Sequence, residues 1–136
     1  MKLTTSSFIF LLFISTITFG QEKSTLIIIR DTGTVNWLTN YSAFDNDDFI
    51  GKIPNKSVTK IEVEPGMHTF NFQFYGRKRP NPKRMKATMQ MEAGKAYYVT
   101  ATTRYNGFFF IVQTLEITEN SAVKLTPKLK PNITRL

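Results

Sequence analysis

The chain has 136 residues, a formal net charge of +8, one histidine and no cysteine. The lack of cysteine excludes disulfide bonds, thiol chemistry and thiolate metal sites. The positive charge favours anionic partners such as acidic glycans, lipid head groups or extracellular nucleic acid.

Residues 1–20 have the layout of a secretory signal peptide. Lys2 gives a positive start, and residues 8–19 form a mainly apolar run. Thr18 and Gly20 then provide small residues before a cleavage site. The run is shorter than the about 20 residues that a transmembrane helix needs. We therefore expect an exported protein, periplasmic or extracellular, with no transmembrane segment after cleavage and no intracellular nucleic-acid partner. Without a cysteine near the junction, we also expect no lipid anchor.

Cleavage after Gly20 would leave 116 of the 136 residues, enough for one domain with a core. We assign residues 21–126 to this domain. Residues 127–136 form a basic C-terminal tail with little patterning, in which we expect partial order and room for one edge strand.

The dominant apolar period after the leader is two, which indicates strands. It runs through residues 57–64, 68–74 and 85–92, and residues 25–30 form a short β-branched apolar run that predicts a central strand. In 68–74, for example, Phe70 and Phe72 share one face, and Asn71 and Gln73 share the other. No stretch shows sustained helical spacing. The pattern predicts an all-β fold, a single antiparallel β-sandwich of about seven to eight strands.

Two turn signals separate predicted strands. Pro65-Gly66 is typical of a type II turn, and Asn106-Gly107 is typical of a two-residue type I′ hairpin. The second turn would pair residues 95–105 with 108–118 and place Tyr105 opposite Phe108. Both faces of that hairpin are partly apolar. Either a bulge switches faces midway, or one face meets a partner.

Four segments together carry a family resemblance: "LIIIR" near the start, "FIGKI" at 49–53, "EPGMHTF" at 64–70 and "EAGKAYYVT" at 92–100. Over residues 24–125 the chain resembles a bacterial family catalogued as domain of unknown function 2846. Its pattern of turns and strands is also similar to that of PEGA-type sandwich modules. The resemblance implies a small exported or envelope protein with a β-sandwich fold and no known enzyme activity. The chain departs from the family pattern at "DNDD" and in a longer, more basic loop after the Phe-rich strand.

His68 is the sole histidine, and it shares the parity of Phe70 and Phe72. Catalysis by histidine needs a nucleophile or an orienting carboxylate within hydrogen-bond reach, and no motif supplies one. We predict that the ring packs at the sheet edge and bonds a backbone carbonyl. The alternative is a hydrolase in which His68→Ala abolishes activity.

The stretch "DNDDF" at 45–49 raises the question of calcium. Counted as an EF-hand loop from Asp45, position twelve is Lys56, where a bidentate glutamate belongs. An Asp/Asn-rich turn is the main interpretation, and a calcium site of another kind is the alternative. With one histidine and no cysteine, zinc is also disfavoured. We predict no metal and no cofactor.

The densest charge lies in "YGRKRPNPKRMK" at 75–86, which has six basic residues, two prolines and no acid. We call residues 75–86 the basic loop. Such a cluster predicts contact with an anionic ligand, for which solubility alone is the competing explanation. The candidate ligand-binding residues are Arg77, Lys78, Arg79, Lys83 and Arg84, with Tyr75 as an adjacent stacking surface.

A second candidate surface is the aromatic tip, which we define as Tyr105, Phe108, Phe109 and Phe110. Successive side chains of a strand alternate faces, so these aromatics cannot all point inward. At least one must meet solvent, a loop or a partner. Capping by the tail or by residues 31–41 is the alternative to a partner site.

The sequence thus predicts a non-enzymatic β-sandwich module of the bacterial cell envelope. We expect it to bind an anionic glycan or lipid head group, or an envelope protein, through the basic loop. The alternative is a structural or assembly protein that pairs through a sheet edge or the aromatic tip.

Overall fold

A computed structural model describes residues 20, 22–31, 38–74, 86–105, 107 and 110–133. This part of the chain contains nine strands, one short α-helix and one turn of 3-10 helix. The strands are β1 (Ser24–Arg30), β2 (Tyr41–Asp45), β3 (Asp48–Ile53), β4 (Ser57–Val63), β5 (Gly66–Phe74), β6 (Ala87–Met91), β7 (Ala96–Tyr105), β8 (Phe110–Ile117) and β9 (Lys130–Ile133). The helix α1 spans Glu119–Leu125, and the 3-10 turn spans Thr126–Lys128.

The strands form two sheets. One has five strands in the order β8-β7-β1-β4-β9, and the other has four in the order β3-β2-β5-β6. A single apolar cluster joins them, with Leu26 and Val99 from the five-stranded sheet and Phe70 and Phe72 from the other. Alternation explains why these side chains face inward. The expected all-β, sandwich-like fold is therefore confirmed.

The sheets are not wholly antiparallel, so that part of the prediction is wrong. β1 pairs antiparallel with β4 but parallel with β7, and β9 lies parallel to β4. The chain reaches β7 only after crossing twice to the other sheet, and these crossings let it return in the direction of β1. Apolar alternation has the same period in parallel and antiparallel strands, so it cannot reveal the direction.

The hairpin between β7 and β8 also differs from the prediction. Tyr105 lies opposite Phe110, and Ala101 lies opposite Thr114, so residues 106–109 connect the strands instead of Asn106-Gly107 alone. The two registers differ by two residues and put the same side chains on the same face. Alternation therefore cannot choose between them. Val99 and Ala101 of β7 and Val112 of β8 face the core, which resolves the face that the pattern left open.

The helix α1 was not predicted. Thr118 caps it, since its side-chain oxygen accepts a hydrogen bond from the backbone N–H of Ser121. The helix has seven residues, of which only Ala122 is buried. It is therefore too short to show a helical period of apolar residues in the sequence. The edge strand for which the tail had room is present as β9.

The sandwich has two ends, which we name after the arginine and the histidine that lie there. The arginine end contains Arg30, Tyr41, Phe74 and Thr103. The histidine end contains Asp45 and His68 and the backbone of Glu64. Within the described residues, no helix is long and apolar enough to span a membrane.

Candidate functional site at the arginine end

Arg30 ends β1 and is fully buried between the sheets. Its Nη1 donates to the carbonyl of Ile53 at 2.6 Å, and its Nη2 donates to the carbonyl of Thr39 at 2.7 Å. The guanidinium carbon lies 3.4 Å from the centre of the Tyr41 ring. Burial lowers the pKa of Arg30, and Tyr41 opposes that effect, yet arginine keeps its charge in proteins. The side chain therefore ties the five-stranded sheet to the backbone of the four-stranded one.

Tyr41 connects this buried cation to the surroundings of both predicted surfaces. Its hydroxyl is hydrogen-bonded to Thr103 Oγ1 on the opposite sheet, and its ring packs edge-on against Phe74 at 5.6 Å. Phe74 is the last residue before the basic loop, and Thr103 lies two residues before Tyr105. Phe74 before the basic loop and Thr103 near the aromatic tip thus meet through Tyr41 at the arginine end. The other side of the loop lies elsewhere, because Ala87 is in register with Phe70 and Asp45.

The six predicted ligand-binding residues of the basic loop (Tyr75, Arg77, Lys78, Arg79, Lys83 and Arg84) lie outside the described residues. Lys86 follows them and is described. Its Nζ lies 3.4 Å from Asp47 Oδ1, and that carboxylate is mostly exposed. A surface pair of this kind contributes little to stability.

The aromatic tip is described in part, because Phe108 and Phe109 lie outside the described residues. Tyr105 is 59% exposed and Phe110 is 47% exposed. Their rings lie 5.2 Å apart at an angle of 45°, and the Tyr105 hydroxyl donates to the carbonyl of Gly107 at 2.7 Å. The tip therefore presents a cross-strand aromatic pair to solvent, and the described part of the chain does not cap it fully.

His68 lies at the opposite end and is held in place by three contacts. Its Nε2 is 2.7 Å from the carbonyl oxygen of Glu64, and its ring stacks on Phe70 at 5.6 Å. These contacts confirm the predicted packing and carbonyl bond. The sequence did not reveal the third contact, in which Nδ1 lies 2.6 Å from Asp45 Oδ2. Asp45 and His68 are distant in sequence, and only the pairing of β2 with β5 brings them together.

Both ring nitrogens of His68 therefore face acceptors. A carbonyl oxygen only accepts, and so does an ionised carboxylate, so both contacts are hydrogen bonds only when both nitrogens carry hydrogen. Both ring nitrogens are thus directed at protein oxygen atoms, and the ring is held in place at the end of the core.

The "DNDD" segment forms the tight turn between β2 and β3. Asn46 and Asp47 both have positive φ, 48° and 73°. The Asn46 side chain accepts a hydrogen bond from the backbone N–H of Thr69 at 3.0 Å. The interpretation of this segment as a turn whose side chains bond backbone amides is confirmed. Among the described residues, no group of three His, Asp or Glu side chains is placed to hold a metal ion.

A shallow groove at the junction of β8 and α1 is lined by Glu116, Ile117, Thr118 and Ser121. Thr118 and Ser121 hydroxyls bond each other at 3.0 Å as part of the helix cap. Nucleophilic chemistry would need a base beside either hydroxyl, and the only ionisable side chain of the groove lining is the carboxylate of Glu116. We assign this groove no catalytic role.

The charges of the described residues are unevenly distributed between the ends. Seven of the ten Asp and Glu residues lie at or near the histidine end, as judged by strand register and contacts: Glu22, Asp45, Asp47, Asp48, Glu62, Glu64 and Glu92. At the arginine end, Lys52, Lys56 and Arg104 accompany Asp31. Three lysines, Lys23, Lys86 and Lys95, pair with carboxylates of the histidine end. The end at which the basic loop begins is therefore poor in carboxylates.

Comparison of the chain with protein-family models, with curated proteins and with solved structures found no match.

Proposed function

We propose that this protein is an exported, non-enzymatic β-sandwich module of the bacterial envelope that binds an anionic component through the basic loop. The observation that carries the proposal is the loop itself, which has six basic residues and no acid. Arg77, Lys78, Arg79, Lys83 and Arg84 would bind phosphate or carboxylate groups, arginine through paired hydrogen bonds. Tyr75 would stack beside them.

The distribution of charge over the described residues supports this assignment. Phe74, the residue before the loop, lies beside Tyr41 at the arginine end, and most described carboxylates lie at the other end, where Lys86 at the end of the loop contacts Asp47. At physiological ionic strength the screening length is about 8 Å, so nearby carboxylates would weaken an anion site and distant ones would not. The polarity of the domain therefore favours approach of an anionic surface from the arginine end.

The non-enzymatic part of the proposal rests on His68. Its ring nitrogens lie 2.6 Å from Asp45 Oδ2 and 2.7 Å from the Glu64 carbonyl oxygen, so both are directed at protein atoms. The export part rests on residues 1–20 and on the resemblance to domain of unknown function 2846, both of which are sequence arguments.

The test compares the protein with a loop variant in which Arg77, Lys78, Arg79, Lys83 and Arg84 are changed to Gln. Both are titrated against vesicles of anionic phospholipid, zwitterionic vesicles and a soluble acidic glycan, each at several salt concentrations. We expect the native loop to bind one anionic probe with an affinity that falls as salt rises. The lipid and glycan arms identify which source supplies the anionic group.

The control variant removes five charges elsewhere, with the exposed residues Lys23, Lys52, Lys60, Lys95 and Lys124 changed to Gln. It has the same net charge as the loop variant. If both variants lose binding equally, net charge alone accounts for it and the loop is not a site. If no anionic probe binds the native protein, the proposal is wrong.

A further inference from the structure

The five-stranded sheet ends at β8, and this edge is long and regular. β8 has eight residues, contains no proline or lysine, and carries one charged residue, Glu116. Its register with β7 continues from Phe110 to Ile117 without a shift. Phe110 and Leu115 are 47% and 41% exposed. The outer row of backbone N–H and C=O groups on such an edge is a ready template for another strand.

The other three sheet edges in the described part of the chain carry protective features. β9 has four residues that include Lys130 and Pro131. β3 has a register shift against β2 at Ala43/Phe44, and it contains Lys52. β6 has only five residues. Short strands, proline, charged side chains (lysine above all) and bulges are devices by which proteins prevent edge pairing, and of these β8 has only the single charge of Glu116.

We propose that β8 pairs antiparallel with β8 of a second copy of this chain, about a two-fold axis at Gln113. The pairing would join two five-stranded sheets into one continuous sheet of ten strands. This inference is independent of the anion-binding proposal. A second copy of the chain is the expected partner of this edge, because β8 is complementary to itself in this register.

The complementarity follows from the positions of the side chains. With Gln113 opposite Gln113 of the second copy, Ile111 lies opposite Leu115 on the outer face, twice over. On the core face Val112 lies opposite Thr114. Glu116 lies opposite Phe110, so the two like charges stay apart. Apolar cross-strand pairs stabilise a sheet, and like charges directly opposite destabilise it.

The two-fold axis also brings exposed apolar surface together. Phe110 and Tyr105 stand at one end of β8, and α1 continues from the other end. Antiparallel pairing sets the aromatic end of one copy beside the helical end of the second. Val123 and Leu125 of α1 are 60% and 42% exposed. A homodimer uses the same patch on both subunits, so each contact is made twice.

The first experiment measures the association state of the purified protein by sedimentation equilibrium at about 0.5 M salt, where surface charge is screened. We expect a dimer. Leu115→Lys should weaken dimerisation by at least about tenfold, because it puts a charge opposite Ile111. The matched control is Leu38→Lys, since Leu38 is 76% exposed and lies outside the strands. Circular dichroism shows that both variants stay folded.

The second experiment tests the register. The native chain has no cysteine, so a single introduced cysteine reports one contact. Residues opposite each other have Cβ atoms about 4.5–5.5 Å apart, within reach of a disulfide after small adjustment. Gln113→Cys should form a covalent dimer under mild oxidation. Gln90→Cys, an exposed Gln on the edge strand β6 of the other sheet, should not.

A monomeric protein at high concentration would overturn the proposal. So would a dimer that Leu115→Lys and Leu38→Lys leave equally strong, because its interface would lie elsewhere. Cross-linking of Gln113→Cys no faster than that of Gln90→Cys would overturn the two-fold register. Salt-resistant dimerisation through β8 with Gln113→Cys cross-linking supports it.

Discussion

Replacement of Arg30 by Ala should destabilise the fold more than any surface substitution. The change removes two hydrogen bonds from a charged donor, to the carbonyls of Ile53 and Thr39, and the contact with the Tyr41 ring. Hydrogen bonds of charged groups contribute about 1.5–3 kcal/mol each, and a desolvated cation–π contact contributes about 2 kcal/mol. The variant no longer incurs the cost of removing the guanidinium from water on folding, and this gain offsets part of the sum. We expect a net loss of about 3–5 kcal/mol, the range for breaking a buried charged contact.

Urea unfolding, followed by circular dichroism, measures the effect. A domain of this size has a stability of about 5–15 kcal/mol, so the variant would keep only part of it. With a urea slope of about 2 kcal/mol/M, the midpoint should fall by about 2 M. Arg30→Lys should show a smaller loss, because an ammonium keeps the charge but does not offer the guanidinium's planar set of donors. Exposed Arg104 provides the control, and Arg104→Ala should change stability by less than about 0.5 kcal/mol.

The reasoning would be refuted by an Arg30→Ala variant within about 1 kcal/mol of the native protein, the change typical of an average substitution. That result would mean that water or neighbouring side chains satisfy the two carbonyls, and that the sheets are held by apolar packing alone.

Three further predictions concern the histidine end and the outer face of β7. Asp45→Ala and His68→Ala should each lower the free energy of unfolding by about 2–4 kcal/mol, and the double variant should lose less than the sum of the two. A double-mutant cycle measured by urea unfolding tests this, and additive losses would show that the two side chains do not interact. Anion binding should survive His68→Ala, since His68 is not among the proposed ligand-binding residues. Desolvation raises the pKa of Tyr98, and the nearby Glu119 raises it further. Glu119→Gln should therefore lower that pKa toward its ordinary value, as an NMR titration of the Tyr98 ring would measure. An unchanged or higher pKa would disprove the contribution of Glu119.

The strands that the sequence predicted best are those in which alternation is strict. Thr59, Ile61 and Val63 of β4 are buried, and Lys60 and Glu62 between them are exposed, as a period of two requires. β5 shows the limit of this approach. Phe70 and Phe72 are buried as expected, but Asn71 and Gln73 on the other face are buried too. Residue polarity indicates the face of a strand, and it does not show whether that face is covered.

The features that the sequence missed depend on contacts between distant residues or on short elements. The Asp45–His68 pair joins residues of different strands, and no local motif marks it. The helix α1 could have been suspected from Thr118 and Ser121, a capping pattern three residues apart, but its apolar stripe is too short to confirm it. The parallel neighbour of β1 depends on the whole path of the chain, which a periodicity cannot encode.

The position of β1 affects how this protein folds. As an inner strand it needs β4 on one side and β7 on the other, and β7 is among the last strands of the domain to be made. Contacts between residues so far apart in sequence slow folding, because a long segment must be closed before they form. A nascent chain that has reached only β6 would therefore expose one whole side of its first strand. Such a chain cannot complete its five-stranded sheet until its C-terminal third has been made.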